Sequence, residues 1–190
     1  MVANRDVPLA PGEECHPALA LVNSRRLAGG EQVDELGTVP GARRWTRAHG
    51  LGEGVRRASD AAELRRLRDA VRDLLEARME GREPGATALE AVNAAASPNL
   101  LRLAWDADGP QAVRERPGAD GMARSLAVLA GDAMELVTGP DHALLHQCGA
   151  PGCIRLLLRD HARRTWCSTR CGDRVRASRY YRRRHPGQAT

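Results

Sequence analysis

The sequence predicts an α+β chain: a mainly helical N-terminal domain with one small β-hairpin, followed by a small C-terminal module stapled by cysteines. Three observations lead there. Apolar residues recur at helical spacing through much of residues 17–138, most clearly between 60 and 80. One partly alternating stretch, 100–116, contains turn residues and reads as a hairpin. Four cysteines, Cys148, Cys153, Cys167 and Cys171, form two close pairs separated by thirteen residues, and arginines follow the second pair at once.

The elements follow in order. Residues 1–15 contain Pro, Gly and Glu without periodicity and read as a flexible lead-in. Apolar positions 18, 19, 21, 22, 27 and 28 mark a helix over 17–28, ended by Gly29 and Gly30. Pro40 and Gly41 introduce a helix over 42–51 that contains Trp45 and closes at Gly52. Over 60–80, Asp60 is placed to cap, with Glu63 three residues on; Leu64, Leu67, Val71, Leu74 and Leu75 follow, and Gly81 stops the helix. On that helix a homodimer contact competes with simple packing. Thr87–Ala96 forms the next helix, ended by Ser97 and Pro98. Leu100–Asp106 and Ala112–Arg116 pair across a turn at Gly109 and Pro110. Residues 119–138 place Met122, Leu126, Leu129, Ala133, Leu136 and Val137 on one helical face, and Gly139 and Pro140 mark the end of a domain spanning 16–138. Trp45 and Trp105 are read as core.

Charge separates the two parts more sharply than the net +5 suggests. Residues 155–190 carry eleven Arg against Asp160 and Asp173, giving +9, whereas residues 1–154 carry eighteen Arg against twenty-two acids, giving −4. A basic end on a mildly acidic body is the footprint of a polyanion-binding module attached to something else. Lys is absent, which fits the codon usage of a GC-rich genome, since Ala, Gly and Arg are abundant. Phe is also absent and aromatics are 3% of the chain, which argues against a stacking platform for single strands and leaves duplex DNA as the better polyanion. The N-terminus lacks a signal-peptide core, and no stretch is apolar enough to span a bilayer, so the expected setting is the cytoplasm, where thiols stay reduced.

Reduced thiols at this spacing point to a metal. A structural zinc takes four soft ligands in a tetrahedron, and two short loops each presenting two thiolates supply them. Gly149, Pro151 and Gly152 suit a tight first loop, and Ser168 can cap a helix beginning beside Cys167. Buried free thiols or two disulfides are the competing readings. Ile154–Asp160 suits a strand that leaves the first loop and returns through His161–Trp166 to the second pair, before a helix over 168–184. That order of knuckle, hairpin and helix is the treble-clef plan, so the module at 141–185 reads as a treble-clef-like zinc finger holding one structural Zn2+. On its helix Arg170, Arg174, Arg176, Arg179, Arg182 and Arg183 are the candidate DNA contacts, with Tyr180 or Tyr181 able to donate to a phosphate. Trp166 reads as the finger's own core.

Other chemistry is sparse. His142, His146 and His161 flank the module, and His146 would be the first substitute ligand if Cys148 did not coordinate. Cys15 and His16 are adjacent, but neighbouring residues rarely aim at each other. No nucleophile elbow, phosphate-binding glycine loop or metallohydrolase helix is present, and four thiolates leave a zinc no open position for catalysis.

The segment Arg164-Thr-Trp-Cys-Ser-Thr-Arg-Cys-Gly-Asp-Arg174 resembles the CGNR zinc finger, named for its Cys-Gly-Asn-Arg tetrapeptide. Upstream, Pro17-Ala-Leu-Ala-Leu-Val-Asn-Ser24 resembles the ABATE domain that usually precedes it. The resemblance implies a stress-related bacterial transcription regulator, with a DNA-binding finger, double-stranded DNA as partner and an N-terminal domain able to sense a small-molecule effector. Two departures stand out: Asp173 occupies the Asn position, where a carboxylate would repel phosphate, and the inter-pair loop is short and lacks the usual Phe near Leu157 or Leu158. The alternative from another class is a small-molecule-binding or catalytic biosynthetic protein whose finger is only a structural clip.

Overall fold

The computed structural model describes residues 8–28, 31–96, 100–106, 109–115 and 121–184, with backbone alone for Ala28 and for the two strands between 100 and 115. Helix α1 (Pro17–Asn23) leads into the antiparallel pair β1 (Arg25–Ala28) and β2 (Glu31–Asp34), then α2 (Val39–Ala48), α3 (Ala58–Glu80) and α4 (Ala86–Ala96). A hairpin of β3 (Leu100–Asp106) and β4 (Gly109–Glu115) precedes α5 (Gly121–Thr138), a 3-10 turn (Pro140–Leu144), β5 (Leu145–Gln147), β6 (Leu156–Leu158) and α6 (Thr169–Arg184). None of the described helices is long and apolar enough to cross a membrane.

The expected helix over 17–28 is half correct. Ser24 Oγ donates to Leu21 O at 2.7 Å and closes α1 early, after which Arg25–Ala28 pairs with β2 in the register Arg25↔Asp34 to Ala28↔Glu31. Gly29 and Gly30, read from the sequence as the helix stop, lie outside the described residues. Helix α2 is shifted from the expected 42–51 to Val39–Ala48: Pro40 and Gly41 lie in its first turn, with Thr38 Oγ1 accepting from Gly41 N–H at 3.2 Å, and it ends before Leu51. In α3 Asp60 is not the cap residue itself; it sits in the first turn, and its Oδ2 accepts from Arg56 N–H and Arg57 N–H at 2.7 and 2.8 Å. Gly81 ends α3 in the left-handed conformation at φ 68°, as expected of the stop residue. The β3–β4 pairing bears out the predicted hairpin but not its turn: Gly109 and Pro110 pair with Asp106 and Trp105 as the first β4 residues, and residues 107–108 and the Trp105 side chain lie outside the described set.

Helix α3 is the spine. It packs against α1, α2, α4 and α5, and its buried face carries Leu64, Leu67, Val71, Leu74 and Leu75, so simple packing accounts for the apolar stripe. Trp45 is buried in the same core, as predicted, with its ring stacked on His49 at 4.2 Å between centroids. Arg68 is 1% exposed and forks onto Asp34 at 2.6 and 3.0 Å, fixing the β1–β2 hairpin to α3.

The finger's hairpin differs from expectation. β6 turns back onto β5, a strand placed before the first cysteine, in the register Leu145↔Leu158 to Gln147↔Leu156; it does not pair with 161–166. Three residues are too few to show alternation, and β6 is buried on both faces. Leu156 and Leu158 join the main core, while Leu157 faces Ala10, Cys148, Cys153, Cys167 and Val175 in a second, smaller core. Each fully buried Leu contributes about 2 kcal/mol, so the finger and the helical domain hold each other through one strand. Residues 8–15, expected as the end of a loose lead-in, are docked there: Leu158 N–H donates to Pro11 O at 2.8 Å, and Ala10, Gly12 and Glu13 are buried.

Candidate metal centre and basic helix

The first cysteine pair sits at the tip of the β5–β6 hairpin. Cys148 N–H donates to Arg155 O and Cys153 N–H to Ala150 O, both at 2.9 Å, and Gly152 turns the corner at φ 72°. At the second pair Ser168 Oγ accepts from Cys171 N–H at 3.3 Å and caps α6 as predicted, so Cys167 precedes the helix and Cys171 lies in its first turn. The two loops are locked together, with Gly149 N–H donating to Thr165 O at 2.9 Å and Cys167 N–H to Cys148 Sγ at 3.4 Å. Trp166 wedges between them as part of the finger's core. A Cβ on Gly149 would lie 3.3 Å from its ring, and one on Gly172 would lie 3.0 Å from Cδ1, so α6 reaches Trp166 only because glycine follows Cys171.

All four Sγ atoms lie within 4.8 Å of one another. Cys153–Cys167 is 3.8 Å, Cys167–Cys171 3.6 Å and Cys153–Cys171 3.9 Å. A disulfide needs about 2.05 Å, which excludes that reading among these four. A tetrahedron with Zn–S arms of about 2.3 Å has edges of about 3.8 Å, and the sulfur spacing matches it. Crowding also opposes joint ionisation: hydrogen bonding with Cys148 pushes Cys153 up to about 11 and pushes Cys167 up as well, while Cys153 and Cys167 together pull Cys148 down. A divalent cation supplies the countercharge that lets all four ionise. The cluster is therefore a site for one structural zinc, closed by four thiolates and without a position for reacting water.

The flanking histidines stay outside it. His142 Nδ1–H donates to Gly139 O at 2.6 Å, His146 Nε2 faces the Arg159 guanidinium at 3.0 Å, and His161 lies 3.5 Å from Asp160. Burial first, and the Arg159 charge second, hold His146 below the usual imidazole range. Cys15 is exposed, whereas His16 is buried with Nδ1 on Asp132 at 2.9 Å and Nε2 on Asp141 at 3.2 Å, so the two form no nucleophile pair.

The arginines of α6 divide into two groups. Arg174 Nη2 donates to Pro151 O at 3.1 Å, bracing the helix on the first cysteine loop, and Arg176 pairs with Asp173 at 2.6 Å. That pair neutralises the carboxylate standing where the finger family has Asn. Arg170, Arg179, Arg182 and Arg183 are exposed, their side chains making no ion pair or hydrogen bond with the described residues, and Arg184 covers the Tyr180 ring at 4.9 Å. Only Gly172 and Val175 of α6 are buried.

Sequence reasoning missed the buried polar network behind the cluster. Arg155, 5% exposed, pairs with Glu13 at 2.8 Å, donates to Pro8 O at 3.1 Å and places Nη1 3.9 Å from Cys167 Sγ. Glu13 Oε1 in turn accepts from Asn23 Nδ2 at 2.6 Å, and Asn23 closes two bonds with Leu156, donating to its O at 2.8 Å and accepting from its N–H at 2.9 Å. The signal available was slight: Asn23 directly follows the apolar run 18–22, and Arg155 interrupts the apolar run Ile154–Leu158. The network joins α1 of the helical domain to a ligand sulfur.

A family model named ABATE and described as "Putative stress-induced transcription regulator" matches residues 15–140, and one described as "CGNR zinc finger" matches residues 145–184. No curated protein matches the chain. With two thirds of its length under the first model and its sulfur cluster inside the second, the chain belongs to the ABATE family and ends in a CGNR zinc finger.

Proposed function

We propose that the protein is a zinc-dependent, DNA-binding transcriptional regulator whose α6 docks on duplex DNA. One observation carries this reading. Beyond Val175 every residue of α6 through Arg184 is exposed, so the helix extends about 13 Å past its own core. That extension has no apolar stripe with which to pack. Four cations on α6, Arg170, Arg179, Arg182 and Arg183, lack partners among the described residues, and a phosphate backbone supplies such partners with release of counterions. Arg174 and Arg176 keep donors to spare and stay within the proposed contact set. Asp173 no longer argues against docking, because Arg176 offsets its charge.

Zinc fixes the base of this helix, and a cytoplasmic setting keeps its thiolates reduced. A small-molecule effector acting through the helical domain fits the same reading, since β6 and the Glu13–Arg155 pair connect that domain to the sulfur cluster. Replacing Cys167 with Ser tests the proposal: zinc and DNA binding should vanish together, while duplex binding that survives zinc loss would refute it.

A further inference from the structure

Beside the first turn of α6 lies an open cleft of about 240 Å3, lined among others by His161, Arg163, Arg164, Trp166, Thr169 and Arg176. Its floor is the Trp166 edge and the Gly172 backbone, which touch so closely that a side chain at 172 would collide with the indole. Two of its guanidinium groups are held in place by carboxylates: Arg164 forks onto Asp160 at 2.6 and 2.8 Å, and Arg176 sits on Asp173 at 2.6 Å. Arg163 is exposed and has no ion pair or hydrogen bond with the described residues. Each held guanidinium has five N–H donors and uses only part of them.

The lining is rich in donors and holds no carboxylate, and the two carboxylates that brace it, Asp160 and Asp173, are engaged by Arg164 and Arg176. An adenine or cytosine edge would leave its amino group unmatched here, whereas a phosphodiester, like the O6/N7 edge of guanine, needs donors alone. Arginine forks match phosphate geometry. Position agrees with chemistry. Arg176 belongs both to the cleft and to α6, about 10 Å along the helix from Arg183, a distance comparable with the roughly 12 Å width of the major groove. A duplex that takes the outer turns of α6 in its groove therefore brings a flanking backbone to the cleft.

Resting on the DNA-binding reading, we infer that this cleft clamps a backbone phosphate of the duplex, through Arg163 and Arg164, and sets the register of the finger without reading bases. Neither residue is among the helix arginines named above. The division of labour is one in which phosphate contacts position and groove contacts specify.

The test uses the full zinc-loaded chain, with binding to its own upstream duplex and to a scrambled duplex followed by fluorescence anisotropy over a range of salt. Four proteins are compared: wild type, Arg163→Ala/Arg164→Ala, Arg163→Lys/Arg164→Lys, and Arg182→Ala/Arg183→Ala. Zinc content and far-UV circular dichroism confirm folding, and Arg163→Ala alone serves if the cleft double variant fails to fold. Each phosphate that is no longer neutralised makes the slope of log K against log salt shallower by about 0.9, so the cleft double variant, which loses one phosphate contact, should show a slope shallower by about 0.9. That variant should weaken both duplexes by the same factor and leave their ratio unchanged. Arg163→Lys/Arg164→Lys, which keeps the charge, should restore most of the slope. An unchanged slope, with the α6 variant still impaired, would overturn the cleft assignment and leave the regulator reading standing. A fall in the ratio of the two duplexes would overturn the phosphate assignment in favour of base contact. Wild-type protein that binds neither duplex would overturn both readings.

Discussion

Glu13→Gln removes one negative charge from the interior while preserving shape. The Arg155 and Glu13 side chains are 6% and 5% exposed and 2.8 Å apart, so the substitution leaves a buried guanidinium without its countercharge: the glutamine Oε1 and the Pro8 carbonyl still accept from it, and the Cys167 sulfur lies at 3.9 Å. Breaking a buried pair from one side costs about 3–5 kcal/mol. With zinc bound, the thiolate partly offsets the stranded charge and places the expected loss near 3 kcal/mol. For a chain of this size that corresponds to a fall in Tm of roughly 6–12 °C. The assay is thermal unfolding by far-UV circular dichroism with zinc in excess, read beside a chelator competition for zinc. Because β6 belongs to both cores, the helical domain and the finger should melt in a single transition that moves as a whole, and zinc should be released more readily. A shift under about 3 °C, or a finger that melts alone at low temperature while the helices stay put, would refute the argument that the two parts share one core.

Three further perturbations probe separate pieces. Asn23→Ala strands the Leu156 N–H and carbonyl and removes one donor from Glu13 Oε1, and should cost about 3 kcal/mol, measured by urea unfolding. His16 carries a raised pKa: burial lowers it, but the hydrogen bonds and charges of Asp132 and Asp141 prevail. A group raised in the folded state stabilises fully below its unfolded value, near 6.5, and loses that contribution as pH rises through the folded value. The Tm advantage of wild type over His16→Gln should accordingly shrink on passing from mildly acidic to alkaline buffer; a constant or growing advantage would contradict the two-carboxylate clamp. Gly172→Ala forces a methyl to 3.0 Å from Trp166, should cost about 1–3 kcal/mol, and should weaken zinc retention in a chelator titration.

The four cysteines, the capping Ser168, the long stripe of α3 and the basic surface of α6 were legible because each rests on local chemistry: ligand type, cap residue, periodicity and charge. What the sequence hid depends on distant partners. Arg25–Ala28 reads as the tail of a helix until β2 is seen beside it. β5 has three residues and no pattern of its own, so the partner of Leu156–Leu158 could not be guessed. Glu13 sits in a stretch with every mark of a loose leader, and only the burial of Arg155 across 142 positions of sequence explains why it is held inside. Arg174, placed among the DNA contacts, also braces Pro151, a contact that spacing along α6 does not reveal.

The central claim is that zinc presents α6 to duplex DNA. It is tested most directly by titrating zinc-loaded protein against its own upstream duplex and a scrambled one, from about 50 to 200 mM salt. Tighter binding to the upstream duplex, with affinity falling steeply as salt rises, is the predicted result. Weak and equal binding to both duplexes would contradict it and leave the arginines of α6 as a nonspecific polyanion grip.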